Sequence, residues 1–328
     1  AAADMKAPAR LGLYGLGLVI VFIVAGFTAN AVVPEETAQN WVDETAQANQ
    51  HGEGNMTDAS GQGGTSSVAL SLGLGVANDG YQLTDLVAPA QIGSEGPLSL
   101  VISGPDGQPM TDFQSEHEKE LHLIVVRADG QHFRHVHPKM SVDGTWSIPW
   151  QWDAAGTYRV FTDFVPAATG VDTTISNSVQ VAGDYDPVPT KPATATKVDG
   201  FEVDVKGDLV AGESTKLTMT VRRGGQPVTD LEPYLGAFGH LVALREGDLA
   251  YLHGHPSGEA PHAVESSGPE ITFEVNAPTP GRYLLYLNFQ VDGRVHTAPL
   301  TIDARTEDDE QDRNGSVEPG DDHGGDHE

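Results

Sequence analysis

The sequence predicts an all-β protein: two tandem immunoglobulin-like β-sandwich domains placed after an N-terminal transmembrane helix. Three observations carry that prediction. The 328 residues include 38 Gly and 21 Pro, which punctuate the chain into short segments. Past the N-terminal region those segments alternate in polarity or are wholly apolar over strand-like lengths, as in PLSLVI, LHLIVVR, HFRHVH, TWSIPWQW and TYRVFTDF. Finally, a unit of roughly 100 residues occurs twice, and strands at such spacing suit a sandwich.

The N-terminal element comes first. Leu11 to Phe27 carries no charge and follows Lys6 and Arg10. Extended to Val33 at a helical rise of about 1.5 Å per residue, the run covers a hydrocarbon core of roughly 30 Å. Basic residues before it and acidic ones after it place the N-terminus in the cytoplasm and the bulk of the chain outside. Ala29-Asn30-Ala31 also fits a signal-peptidase site, which would leave a secreted protein. Residues 1–33 therefore read as a cytoplasmic stub and membrane anchor, or as a signal peptide.

Residues 34–66 hold six acids and no Lys or Arg, the composition of a flexible stalk. A first sandwich is expected over 67–183. A Pro/Thr linker follows at 184–197, its prolines holding it extended. The second sandwich is expected over 198–303 and an acidic tail over 304–328. Stalk and tail supply about half of a formal charge of -29, a balance that disfavours nucleic acid as a partner. The absence of cysteine excludes disulfides, thiolate ligands and thiol nucleophiles. No Gly-x-Ser-x-Gly, phosphate loop or paired-carboxylate signature is present, so no enzyme chemistry is expected.

The repeat is explicit. Residues 107–138 align without a gap on 225–256, with eleven identities that include Gly107-Gln108-Pro109 against Gly225-Gln226-Pro227. AGTYRVFTDF (155–164) then matches PGRYLLYLNF (280–289). Gly156-Thr-Tyr158 and Gly281-Arg-Tyr283 each precede a penultimate apolar strand, where immunoglobulin-like folds carry a tyrosine corner.

Within the repeat the chemistry lies in histidine. His122, His135 and His137 recur at identical spacing as His240, His253 and His255, while the intervening residues diverge. A two-residue hairpin turn at Asp129-Gly130 would pair Ala128 with Gln131 and set His122 opposite His137; Gly247-Asp248 would set His240 opposite His255. His135 shares a face with His137, so three imidazoles converge in each repeat. Ile124, Val126 and Phe133 share that face, and are expected in the sandwich core, as are Val242, Leu244 and Tyr251. Imidazole without thiolate suits Cu(II) or Zn(II). Asp163 is a candidate fourth or supporting ligand and His296 a candidate addition to the second site. His117 reads as a loop residue.

The segment HLIVVRADGQHFRHVHP followed by GTYRVFTDFVP resembles small exported bacterial domains of the YtkA-like and CopC-like kind. That resemblance implies an immunoglobulin-like sandwich, often linked with copper handling and sometimes fused to a membrane anchor. The expected function is a membrane-anchored extracytoplasmic metal-binding protein, a copper or zinc carrier or buffer. Its partners would be the metal ion, the membrane through the N-terminal helix, and another metal-handling membrane protein. A surface interaction or scaffold module with structural histidines is the alternative.

Overall fold

A computed structural model of the chain describes residues 72–257 and 267–306; the anchor, the stalk and nearly all of the acidic tail lie outside the described residues. Among those described there is no helix, and every regular element is a strand. The first repeat builds β1 (Ala77–Asn78), β2 (Tyr81–Val87), β3 (Gly96–Ser103), β4 (Phe113–Gln114), β5 (His122–Arg127), β6 (Arg134–Val136), β7 (Lys139–Met140), β8 (Thr145–Trp150), β9 (Gly156–Pro166) and β10 (Thr173–Val181). The second builds β11 (Ala195–Val198), β12 (Phe201–Lys206), β13 (Leu209–Val210), β14 (Ser214–Arg223), β15 (Gln226–Pro227), β16 (Gly239–Arg245), β17 (Tyr251–Pro256), β18 (Glu270–Asn276), β19 (Gly281–Val291) and β20 (Arg294–Arg305). Ordered structure thus starts inside the expected linker, at Ala195, and runs two residues past the expected end of the second domain.

In the first repeat one sheet has the order β1-β2-β3-β8-β7 and the other β10-β9-β5-β6, with β4 paired to β9. Leu83, Leu98, Leu100, Ile102, Trp146, Trp152, Leu123, Val125, Tyr158 and Phe164 fill the space between them. In the second repeat β17 pairs with both β16 and β18, so its sheets run into one another along β12-β14-β18-β17-β16-β19-β20. Its core includes Val203, Leu217, Met219, Leu241, Ala243, Phe273, Tyr283, Leu285 and Phe289. Both expected tyrosine corners form: the Tyr158 hydroxyl donates to the Ala154 carbonyl at 2.9 Å, and that of Tyr283 to Thr279 at 2.8 Å. Each ties the start of a penultimate strand to the chain four residues earlier.

The expected register holds, but the turns differ. Leu123 pairs with Val136 and Val125 with Arg134, which continues to His122 opposite His137. Leu241 pairs with Gly254, which continues to His240 opposite His255. At the first turn, however, Arg127 N–H donates to Gln131 rather than Ala128 pairing with it. Residues 128–130 form the loop, with Gly130 at φ 78°, and His132 at φ 54° absorbs the extra residue before β6. At the second turn Arg245 donates to Ala250, so residues 246–249 form a longer loop.

One expectation is overturned. Ile124, Val126 and Phe133 do not face the first sandwich core, nor do Val242, Leu244 and Tyr251 face the second. With Phe161, Leu249, Leu284 and Tyr286 they form a third apolar cluster that joins the two repeats. β5 and β16 are buried along both faces: one face lines its own sandwich and the other meets the neighbouring repeat. At about 1.5–3 kcal/mol for each large apolar side chain buried, this cluster is a substantial adhesive.

Contacts across that cluster follow an approximate two-fold rule. Phe133 stacks on Tyr286 at a centroid distance of 3.9 Å, and the repeat-equivalent pair, Tyr251 and Phe161, meets at 5.6 Å. Gly130 packs under Leu284, and the equivalent pair is Asp248, whose carbonyl accepts from Arg159 at 3.3 Å. Such reciprocity is the mark of an isologous interface. Here the two partners are halves of one chain, and residues 67–306 fall in a single compact unit.

Two segments fasten the pair. In the linker, Val188 N–H donates to Asp129 Oδ2 at 2.9 Å, and Asp129 is itself bound to Arg127 at 2.7 Å. Ala193 and Thr301 exchange backbone bonds of 2.9 Å. At the start of the described chain, Leu72 accepts from Tyr251 N–H and Gly75 from Ser176 N–H, both at 2.8 Å. Residues 72–75 therefore strap β17 of one repeat to β10 of the other.

Candidate metal centre

β5 delivers His122 at its first residue, and β6 delivers His135 and, just past its end, His137. The hairpin register brings the three rings to one point. His122 Nδ1 lies 3.0 Å from His135 Nε2 and 3.1 Å from His137 Nε2. One ring nitrogen of each residue lies within 4.8 Å of the other two. His122 is buried and the other two are half-buried.

The outward nitrogens fix the protonation pattern. His122 Nε2–H donates to the Glu116 carbonyl at 3.0 Å, and His135 Nδ1–H donates to Asn288 Oδ1, on β19 of the other repeat, at 3.2 Å. A neutral imidazole that donates from one nitrogen presents a lone pair on the other. His122 Nδ1 and His135 Nε2 therefore turn lone pairs toward each other at 3.0 Å. Such a contact is repulsive unless a proton or a cation lies between. His135 does not readily take up that proton: burial, then the neighbouring His122, His137 and His240, hold its imidazole well below the ordinary histidine value. Burial likewise brings His137 down to about 3, with His122 and Lys119 acting the same way.

Of the six candidate ligands whose side chains are described, the structure gathers these three. Asp163 sits on β9 directly across from His122 and is 1% exposed. Its Oδ1 accepts from Thr174 at 2.7 Å and its Oδ2 from the Tyr251 hydroxyl at 3.1 Å. Burial, followed by Asp163, raises the Tyr251 phenol well above its usual value, so it stays a donor. Asp163 stands outside the trio but lines an adjoining void of about 10 Å³, with His117, His122, His135, His240 and Tyr251. His240 repeats the orientation of His122, its Nε2 meeting the Tyr234 carbonyl at 2.8 Å. The backbone sets His253 across from Val242; the side chains of His253 and His255 lie outside the described ones. His296 is a correction. Its Nδ1 meets Asp199 Oδ2 at 2.8 Å, and its ring lies against Phe201 and Phe289, on the face of β20 opposite to the trio.

His117 is the residue that sequence reasoning missed. It lies in a turn, in keeping with its reading as a loop residue, but it is half-buried, with its ring centroid 4.9 Å from that of His240 and 6.2 Å from that of His122. It has no counterpart in the other repeat, and its position near the start of β5 was the one available signal.

The fold and the cluster define a tandem-repeat β-sandwich protein with an imidazole group set between its repeats. The chain belongs to the family described as a domain of unknown function (DUF8832), which matches residues 76–183 and again 196–306. No curated protein matches the chain in sequence. Among solved structures, a Salmonella alpha-2-macroglobulin mutant is 13% identical with a TM-score of 0.23, covering 69% of this chain and 14% of that one. Invasin, a bacterial integrin-binding protein, is 10% identical with a TM-score of 0.22, covering 69% and 39%. The fibronectin(III)-like modules of Clostridium thermocellum CbhA are 12% identical with a TM-score of 0.20, covering 69% and 94%. The chain thus spans well under half the length of the first two. At these scores the likenesses carry no argument, and the architecture rests on the strands and sheets themselves.

Proposed function

We propose that this chain is an extracytoplasmic metal-binding protein that holds a divalent transition-metal ion, Cu(II) or Zn(II), on His122, His135 and His137. The observation that carries the reading is the pair of lone pairs aimed at each other at 3.0 Å, with the far nitrogens already engaged by a backbone carbonyl and by Asn288. Histidine ligands characteristically donate their second N–H to such acceptors, which fixes the ring and raises its basicity. Ligands about 2.0–2.1 Å from a tetrahedral ion stand about 3.3 Å apart, within a few tenths of the two spacings observed. Three imidazoles leave a further coordination position for water or for a donor from the adjoining void.

The role is storage or delivery rather than catalysis, since no general base stands in the trio. The sequence likeness to YtkA-like and CopC-like domains supports Cu(II), and the apolar N-terminal run supports attachment to the outer side of a membrane. A metal-handling membrane protein is the matching partner. The competing reading, an interaction module with structural histidines, draws on the apolar cluster that already locks the repeats together.

Metal content distinguishes them. Protein equilibrated with Cu(II) or Zn(II) and passed through a desalting column should retain metal by mass spectrometry. His135→Ala with His137→Ala should abolish that retention. Metal-free protein that keeps none, with a melting temperature lowered equally by the variants with and without metal, would leave the structural reading standing.

A further inference from the structure

The proposed trio belongs to the first repeat, yet it points away from its own sandwich core and toward the second repeat. His240 stands at the equivalent place in that repeat. Its Nε2 meets the carbonyl of Tyr234, as that of His122 meets Glu116, and these two carbonyls are themselves equivalent under the repeat. The same assignment puts Nδ1 of His240 on the side that His122 presents to the trio. The backbone register that sets His137 opposite His122 sets His255 opposite His240. The two histidine faces do not lie at remote ends of the molecule. The His135 and His240 ring centroids are 6.4 Å apart, and His117 bridges, at 6.2 Å from His122 and 4.9 Å from His240. Between them lies the void of about 10 Å³ lined by His117, His122, His135, Asp163, His240 and Tyr251. That is close to the space one water or one small ion needs.

We infer that the two repeats share one chamber with two cation positions, the second being held by His240 and His117 beside the buried Asp163 carboxylate. This rests on the proposed trio and deepens it: the protein binds a close pair of divalent ions rather than two independent ones. Several features fit a pair better than a single ion. The chamber is lined from both repeats, by His117, His122, His135 and Asp163 of the first and by His240 and Tyr251 of the second. Asp163 supplies a buried negative charge where two cations would otherwise repel. His117, which the repeat does not duplicate, sits where a ligand shared between the halves would be needed.

The experiment is Cu(II) titration of the full chain followed by electron paramagnetic resonance. The inference expects two tightly held equivalents and a half-field transition from a coupled Cu(II) pair. His240→Asn, which keeps a side-chain N–H for the Tyr234 carbonyl, should reduce the tight equivalents to one and remove the half-field transition. His117→Ala, in a loop position, should weaken the second equivalent at least tenfold while leaving the first unchanged. Two equivalents without the half-field transition would place the second ion elsewhere and overturn the inference. One equivalent, unaffected by either variant, would overturn the pair and keep the trio. No retained equivalent at all would remove the trio itself.

Discussion

Asn288 offers the sharpest test of the trio, because it lies in the second repeat and reaches the trio through His135. It is 3% exposed, accepts from His135 Nδ1–H at 3.2 Å and donates through Nδ2 to Thr297 Oγ1 at 2.7 Å. Asn288→Leu removes the acceptor and leaves the His135 N–H and the Thr297 hydroxyl short of partners. Loss of a supporting hydrogen bond to a ligating histidine weakens metal binding about 10–100-fold, or about 1.4–2.7 kcal/mol. The unpaired groups should lower fold stability by about 1–3 kcal/mol as well. Asn288→Asp keeps the acceptor and strengthens it. It should bind Zn(II) at least as tightly as the parent, and it converts the position to the residue that the first repeat carries at Asp163. Competition against a chromophoric chelator gives the two dissociation constants, and melting with and without chelator gives the stabilities. If Asn288 instead donates to His135 through its amide, the ring network needs no ion, and the carboxylate variant loses stability without gaining affinity. Equal dissociation constants for parent and both variants would refute the ligand assignment.

Three further outcomes follow from the same geometry. In metal-free protein, His135 and His137 hold pKa values below the ~6.5 of an unfolded histidine, so the unfolded chain binds more protons as pH falls. Stability present above about pH 6.5 should therefore decline with acidification, and His137 extends the decline toward about 3; urea midpoints across that range measure it. Gly130→Ala meets both a positive φ of 78° and a Leu284 Cδ1 2.5 Å from the added carbon, whereas Gly107→Ala meets a φ of 74° and open space. Each should lose about 1–2 kcal/mol from the backbone, with Gly130→Ala losing a further ~1–3 kcal/mol from overpacking the joint between repeats, read by chemical denaturation. Tyr158→Phe removes a single corner hydrogen bond and should lower stability by about 1 kcal/mol without altering metal affinity.

Much of this was legible in the sequence because strand period and turn position constrain pairing. The offset between LHLIVVR and HFRHVH places His122 against His137 whether the turn takes two residues or, as found, three with a compensating irregularity at His132. What alternation cannot supply is the identity of whatever covers each face. Ile124 and Val126 share a side with His122, as expected, yet that side meets the neighbouring repeat. The signal was present: HLIVVR and HLVALR are apolar on both faces, which in an antiparallel sheet means that neither is solvated. Asp163 was legible as a candidate on the penultimate strand, but its place across from His122 comes from the pairing of β5 with β9. His296, the candidate addition to the second site, turns to Asp199 instead, and no spacing rule related it to His240.

The reciprocal joint between the repeats has a consequence for how such a centre can evolve. Two separate copies of one subunit would meet at a strength set by dilution, whereas a tether keeps the halves at a fixed high effective concentration however scarce the protein is. A true homodimer must also present identical groups from both sides. Joining the copies lifts that constraint, and here one half offers a carboxylate at Asp163 where the other offers the amide of Asn288. A lopsided pocket becomes reachable from a duplicated, initially even-handed scaffold.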